Sequence, residues 1–321
     1  MGKIILAGGS GFLGRVLSVH LSGRGHQLVV LTRTPSDAKG RFREVQWDGR
    51  RLGNWTREID GADAVINLAG KSVDCRYCAR NKRMIMDSRV DSTRVLGEAI
   101  GRSANPPPVW LNSSTATIYK HSLDRPMDEI TGEIGATPAV NDTFSVEVAR
   151  AWEKALGDAR TPATRKVALR TSMVFGTTEG GVFQVLRRLV RFGLGGSMAG
   201  GHQFVSWIHE EDFCRAVDWL LTRPDLSGPV NVAAPNPVPN RDMMQSFRQI
   251  AGVSMGLLAT RWMLEMGAFF LRTETELILK SRRVVPSRLT ASGFQFLHPQ
   301  LREAIADLHT SLDSSPKEIR S

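Results

Sequence analysis

Gly8-Gly9-Ser10-Gly11-Phe12-Leu13-Gly14 follows the apolar run Lys3-Ile4-Ile5-Leu6-Ala7 directly and opens a helical pattern. The glycines at 8, 11 and 14 keep a three-residue rhythm. Gly8 permits a tight turn out of the strand, Gly11 lets backbone amides approach a pyrophosphate, and Gly14 lets the helix pack closely on the sheet. The helix start then presents unpaired N–H groups and a positive dipole end to phosphate charge. A glycine triplet alone says little. Between a strand and a helix it points to a dinucleotide, with Gly8, Ser10, Gly11, Phe12, Leu13 and Gly14 as the phosphate-side contacts.

Working outward, apolar strand-like runs at Ile4–Ala7, Gln27–Leu31, Ala64–Leu68, Val109–Asn112 and Val167–Leu169 alternate with periodic segments such as Leu13–Ser22, Ser88–Ile100 and Thr143–Leu156. Short apolar strands alternating with helices predict an α/β fold, a Rossmann-type doubly wound parallel sheet covered on both faces. The breaker-rich stretch Ala234-Pro235-Asn236-Pro237-Val238-Pro239-Asn240 marks a change of character. The expected division is a dinucleotide-binding domain over 1–235 that includes some cleft segments, a smaller and mainly helical C-terminal cap over 236–312, and a flexible tail over 313–321. Val253 to Leu271, the most apolar later stretch, carries Arg261 and Glu265 and reads as an amphipathic helix, not a membrane span.

The second strand ends Val29-Val30-Leu31-Thr32-Arg33-Thr34-Pro35. A cofactor with a free 2′-hydroxyl usually meets an Asp or Glu there, which accepts hydrogen bonds from the ribose. Here Thr32 and Arg33 take that place, and a guanidinium suits a 2′-phosphate through charge-assisted contacts. The expected cofactor is NADP(H).

Composition narrows the class. The chain of 321 residues is 41% hydrophobic and 23% charged, ordinary for a globular protein. Its three cysteines, Cys75, Cys78 and Cys214, make no disulfide framework, and the N-terminus enters a strand without a signal-peptide pattern. A cytoplasmic location is therefore expected. The net charge of +10 is spread over scattered arginines, with no basic tail and no aromatic-interleaved stripe. The expected partner is a small-molecule substrate, with no nucleic acid and no membrane.

Further motifs run along nearly the whole chain: Asn67-Leu68-Ala69-Gly70, Asp87-Ser88-Arg89-Val90, Asn112-Ser113-Ser114-Thr115-Ala116-Thr117-Ile118-Tyr119, Leu169-Arg170-Thr171 to Gly176, Gly200 to His209, and Lys280 to Phe296. With these the chain resembles the extended short-chain dehydrogenase/reductases, and within them an atypical epimerase-like branch with a C-terminal domain of unknown function. The resemblance implies that Leu68, Ala69 and Gly70 line the adenosine side, that Arg89 reaches the cofactor, and that Val174 sits beside the nicotinamide. Leu68 and Val174 also read as plain core, and Arg89 as a surface charge.

Typical members of that superfamily place a Tyr and a Lys four residues apart on one helix, where the ammonium lowers the phenol pKa. A Ser or Thr at the end of the preceding strand holds the substrate oxygen. That hydroxyl is Thr115, but Phe144 and Val148 stand where the dyad would be, and neither moves a proton. Tyr119 is the substitute the sequence offers, although the adjacent Lys120 does not share its face. Glu147, Trp207 and His209 are other polar candidates; His209, before Glu210-Glu211-Asp212, reads first as a helix-start residue. Cys75-Arg76-Tyr77-Cys78 has no second pair to complete a zinc site and reads as free thiols on a loop near the cofactor mouth. Val182 to Leu194 reads as an amphipathic helix with a basic face.

Two functions follow: an NADP(H)-dependent oxidoreductase or epimerase acting on a small molecule, or a dinucleotide-binding sensor or scaffold without turnover. The cofactor choice is testable by titration calorimetry. NADPH should bind more tightly than NADH, and Arg33→Ala should narrow the gap; equal affinities in the unaltered protein would remove the argument.

Overall fold

Ile4 and Leu6 lie on one face of β1 (Lys3–Ala7) and Ile5 and Ala7 on the other, and all four are buried. A strand apolar on both faces belongs inside a sheet covered on both sides. That sheet is present in the computed structural model, which describes residues 2–35, 42–259 and 276–314. With β1 it contains β2 (Gln27–Thr32), β3 (Arg43–Gln46), β4 (Ala64–Asn67), β5 (Val109–Thr115), β6 (Arg165–Thr171) and β10 (Gly228–Val232). All pairs are parallel, in the order β10-β6-β5-β4-β1-β2-β3. The shorter strands β7 (Met173–Phe175), β8 (Phe204–Val205), β9 (Trp207–His209) and β11 (Val238–Pro239) pair outside it, β7 with β9 and β8 with β11.

Helices α1 (Phe12–Gly23) and α5 (Glu210–Thr222) cover one face, adding Leu17, Leu21, Phe213, Val217 and Leu220 to the cluster around Ile4 and Leu6. On the other face α2 (Ala79–Arg102) and α3 (Thr143–Asp158) bring Val95, Leu96, Ile100 and Leu156 around Ile5, Ala7 and Trp110. The expected α/β architecture is the one observed. Two of its strands escaped the sequence pattern for physical reasons. Edge strand β3 (Arg43-Glu44-Val45-Gln46) has no buried residue, and β10 carries Pro229 at the other edge, where a missing N–H is tolerated.

A third cluster joins α4 (Val182–Arg191) to α6 (Asn240–Ile250) and to the last helix. Phe183, Leu186, Met243, Met244, Phe247, Leu301, Ile305 and Leu308 surround Phe175 and Trp207. Part of the chain after residue 236 packs back on the earlier region. Short helix α7 (Glu276–Leu279) leads into Lys280–Val285, which lies along the 117–127 segment, with Val284 bridged to Met127 and the amide of Ser281 donating to His121 Nδ1 at 3.0 Å. Short helix α8 (Ser287–Ala291) then rejoins the sheet, so that Leu289 and Phe294 belong to the same core cluster as β1, β6 and β10. The final helix α9 (Leu301–Ser314) includes Asp313 and Ser314, the first two residues of the expected tail, and Asp313 pairs with Arg187. Residues 315–321 lie outside the described residues. Of the expected helix over 253–271, residues 253–259 are not helical and the remainder lies outside the described residues. Among the described residues no helix is long and apolar enough to cross a membrane.

One buried ion pair fastens this returning segment. Lys280 Nζ lies 2.6 Å from Asp142 Oδ2, the two side chains being 1% and 0% exposed. Lys280 also donates to the Thr117 carbonyl at 2.6 Å, and Asp142 Oδ1 accepts the Thr137 amide at 2.6 Å. Removing one partner of such a pair leaves the other charge buried and uncompensated. Lys280→Met should therefore lower stability by about 3–5 kcal/mol. Adding Asp142→Asn should restore part of the loss, as read by denaturant melts of the three proteins.

Candidate functional site

The site is built where β1, β4 and β5 end. At Gly8 the backbone takes φ +82°, and a Cβ there would lie 2.7 Å from the Ala69 amide nitrogen. A Cβ on Gly14 would fall 2.5 Å from Gly9 Cα. Both glycines are therefore demanded by close backbone approach. Gly11 differs: a Cβ there would meet only the Gly8 carbonyl at 3.7 Å, so the space in front of it is open. It precedes α1, whose first turn holds no acidic side chain to occupy the positive helix end. Ser10 and Gly11 are exposed, and Phe12 and Leu13 half-buried. Arg15 clips the turn to the loop after β7, donating to the Ser10 carbonyl at 2.6 Å and the Glu179 carbonyl at 2.5 Å. Open amides, a dipole end and a cradle that tolerates no side chains fit a pyrophosphate. At the end of β2, Thr32 is buried and Arg33 exposed.

The next turn is held from beneath by amides. Asn67 Nδ2 donates to Asn112 Oδ1 at 2.7 Å, one strand away in register, while Asn67 Oδ1 accepts the Ala69 amide at 3.0 Å. This leaves Leu68 and Ala69 half-buried and Gly70 exposed beside the glycine turn. Arg89 reaches up from α2 to donate to the Lys71 carbonyl at 3.0 Å, its guanidinium 5.0 Å from the Trp152 ring and against Gly70. Burial pulls its pKa down to about 10. Val174 lies on β7 opposite Ile208, its side chain packed in the core cluster.

Thr115 ends β5 half-buried, with Oγ1 accepting the Thr117 amide at 3.1 Å. Thr117 Oγ1 in turn accepts from Arg282 Nε at 3.0 Å. On α3, Val148 is buried and Phe144 half-buried, with Lys82 Nζ 5.1 Å from the Phe144 ring. The Phe144 ring meets Tyr77 edge-on, centroids 5.1 Å apart. Burial, then the charge of Glu276, push the Tyr77 phenol up to about 12, against a hydrogen bond shared with Ser145 and the Arg89 charge. Ser145 donates to Glu276, a carboxyl that is 5% exposed and held above its ordinary pKa by burial. A cavity of about 470 Å³ is lined by His121, Val140, Gly200, His202, Gln203 and Leu279.

The other polar candidates are placed elsewhere. Tyr119 is 1% exposed, accepting from Arg170 Nη1 at 2.8 Å and donating to Asn231 Oδ1 at 3.0 Å. Arg170 is also clamped by both oxygens of Glu153 at 2.8 Å. This network ties β6 to β10 and α3, and it does not bring the phenol to the cleft. Trp207 is fully buried, with Nε1 donating to the Asn236 carbonyl at 3.1 Å, and Glu147 is exposed. His209 caps α5, its Nδ1 accepting the Glu211 amide at 3.1 Å. With Nδ1 an acceptor, the ring proton of neutral His209 sits on Nε2. That nitrogen lies 3.2 Å from Asp307 Oδ2 and offers no lone pair to a metal, although His209, His298 and Asp307 cluster closely enough to suggest one. The three cysteines are free thiols.

Tyr77, Ser145, Glu276 and Arg282 were not singled out by the sequence. Tyr77 was visible only as the filler between Cys75 and Cys78. The one available signal was scarcity: the chain has two tyrosines.

Residues 4–233 match the model of the NAD dependent epimerase/dehydratase family, and residues 259–308 match a domain of unknown function, DUF1731. The chain is 31% identical over 311 residues to epimerase family protein YfhF of Bacillus subtilis, covering 95% of this chain and 97% of that protein. It is 28% identical to the human epimerase family protein SDR39U1, covering 95% and 99%. The crystal structure of that human protein (isoform 2) with NADPH superposes with a TM-score of 0.84 at 25% identity, covering 97% of this chain and 100% of that one. A nucleoside-diphosphate sugar epimerase from Corynebacterium glutamicum gives a TM-score of 0.74 at 27% identity, covering 96% of this chain and 58% of that one. With its glycine turn, its seven parallel strands and a family match over residues 4–233, the chain belongs to the NAD dependent epimerase/dehydratase family.

Proposed function

We propose that the protein is an NADP(H)-dependent oxidoreductase, epimerase-like in build, acting on the carbonyl or carbinol carbon of a small molecule seated where β4, β5 and β6 end. The observation that carries this reading is the turn at residues 8–14, closed to side chains at Gly8 and Gly14 and open at Gly11. In this reading Gly8, Ser10, Gly11, Phe12, Leu13 and Gly14 hold the pyrophosphate, and Thr32 and Arg33 the 2′-phosphate. Leu68, Ala69, Gly70 and Arg89 flank the adenosine side, and Val174 backs the nicotinamide end. NADPH in the human relative's structure supports the choice of cofactor. Bound there, a reduced nicotinamide supplies a hydride to a carbonyl carbon. Thr115 then holds the substrate oxygen, and the half-buried Phe144 keeps the wall beside it apolar.

Phe144 and Val148 favour a second reading, a sensor or scaffold that binds NADP(H) without turnover. Single-turnover oxidation of bound NADPH across a carbonyl panel separates the two; a protein that binds NADPH and reduces nothing is the sensor. Two glycine variants test the site itself. Gly11→Ala should keep the fold but weaken NADPH binding about tenfold or more, because its Cβ enters open space meant for phosphate. Gly14→Ala should instead cost about 1–3 kcal/mol of stability through overpacking. If Gly11→Ala binds NADPH as well as the unaltered protein, the turn is not the phosphate site. Thr115→Ala should slow carbonyl reduction about fivefold or more, one hydrogen bond of about 1 kcal/mol, with NADPH affinity unchanged.

A further inference from the structure

The fold sends the two tyrosines of this chain to different ends. Tyr119 is locked between Arg170 and Asn231. Tyr77 comes in from the turn before α2, half-buried, and sets its ring edge-on to Phe144 in the first turn of α3. Its phenol shares a hydrogen bond with Ser145, and Ser145 is bonded to Glu276. The second carboxyl oxygen of Glu276, Oε2, is buried with no hydrogen-bond partner among the described residues. Two guanidiniums complete the surroundings. Arg89 acts on the phenol electrostatically, and Arg282 interacts with Tyr77, Glu276 and Asp142 while bonding Thr117, whose amide donates to Thr115. Three distant parts of the chain thus converge on one phenol, and Arg282 connects that cluster to Thr117, two residues past the end of β5.

We propose that Tyr77 is the proton donor to the substrate oxygen, recharged through Ser145 and Glu276. The proposal rests on the reductase reading above. As the carbonyl carbon gains the hydride, the C=O π pair moves onto oxygen, and the oxygen takes the phenolic proton to give the alcohol. The tyrosinate regains a proton from the Ser145 hydroxyl, which is refilled through the Glu276 carboxyl, and Glu276 is reloaded by the one solvent proton that the reduction consumes. Two features support the sequence of donors. Burial raises the Glu276 carboxyl above its ordinary pKa, and Ser145 is already bonded to it, so a proton taken up at Glu276 is one hydroxyl away from Tyr77. A phenol at about 12 remains a far stronger acid than an alcohol, so transfer to a forming alkoxide runs downhill. Arg89, with Arg282 behind it, steadies the transient tyrosinate from a separate element, the service a lysine on the same helix would otherwise give.

The test uses the full chain labelled with [13Cζ]tyrosine, whose two resonances are assigned through Tyr77→Phe. Adding NADP⁺ should shift the Tyr77 resonance and leave that of Tyr119 in place. In single-turnover oxidation of NADPH by 4-nitrobenzaldehyde, Tyr77→Phe should slow the reaction about 100-fold or more with NADPH affinity held within twofold. Ser145→Ala, which keeps the phenol but cuts its supply, should slow it less and shift its pH profile. If the unaltered protein reduces the aldehyde and Tyr77→Phe does so equally fast, or if NADP⁺ leaves the Tyr77 resonance unmoved, Tyr77 is not the donor and the reductase reading stands. If the unaltered protein fails to bind NADPH, or binds it and reduces nothing, the reductase reading falls and the proposal with it.

Discussion

Where β1 ends, two stretches of backbone come so close that no side chain fits between them. The Gly8 position that a Cβ would take is 2.7 Å from the Ala69 amide nitrogen and 2.8 Å from the Leu68 carbonyl carbon. This contact locks the turn after β1 to the turn after β4, two strands already paired from Ile4 opposite Ala64 to Ala7 opposite Asn67. The glycine turn can then reverse at once and start α1 back over one face of the sheet, with the amides before it facing outward. The same contact makes Leu68–Gly70 a neighbour of the glycine turn, and Asn67, bonded to Asn112, carries that order on to β5 and Thr115. The groove at these strand ends is a continuation of the strand ladder, and its walls are set by backbone spacing more than by side-chain chemistry.

That origin explains what could be read in advance. Parallel strands buried on both faces leave dense apolar runs, so the sheet and most of its helices were legible, as was the glycine turn, whose meaning is local. The edge strands were not legible: Arg43–Gln46 has no apolar signal because one side of it faces water. The proton-handling end of the site was harder for a different reason. Tyr77, Ser145 and Glu276 meet across separations of 68 and 131 residues, and no periodicity records such a meeting. Adjacency to a motif misled in the opposite direction. Tyr119 follows the Asn112–Ile118 run directly, yet the short helical turn at Ala116–Ile118 swings its ring into the core, where Arg170 and Asn231 need it.

Buried polar groups mark the seams between elements. The Glu153–Arg170–Tyr119–Asn231 chain crosses from α3 over β6 to β10, and Ser114 donates to Glu153 from β5 at 2.6 Å. Each member is satisfied by another, so the loss of one would strand its neighbours. His209 behaves similarly at the start of α5, where burial and then the charge of His298 hold its pKa below the ordinary value. Its neutral ring serves as a helix cap that can stay dry.

The Lys280–Asp142 pair sets how the protein can be divided. Asp142 precedes α3, inside the region matched by the epimerase/dehydratase family, while Lys280 lies in the region matched by DUF1731. The segment that carries Lys280 also brings Glu276 to Ser145 and Arg282 to Thr117. Cutting the gene near residue 235 would therefore produce neither a free-standing dinucleotide module nor a detachable cap, since one half would keep a carboxylate in a dry pocket and lose the partners of Ser145 and Thr117. A working chimaera with a relative would have to exchange the start of α3 and the 276–285 segment together, as one inherited unit.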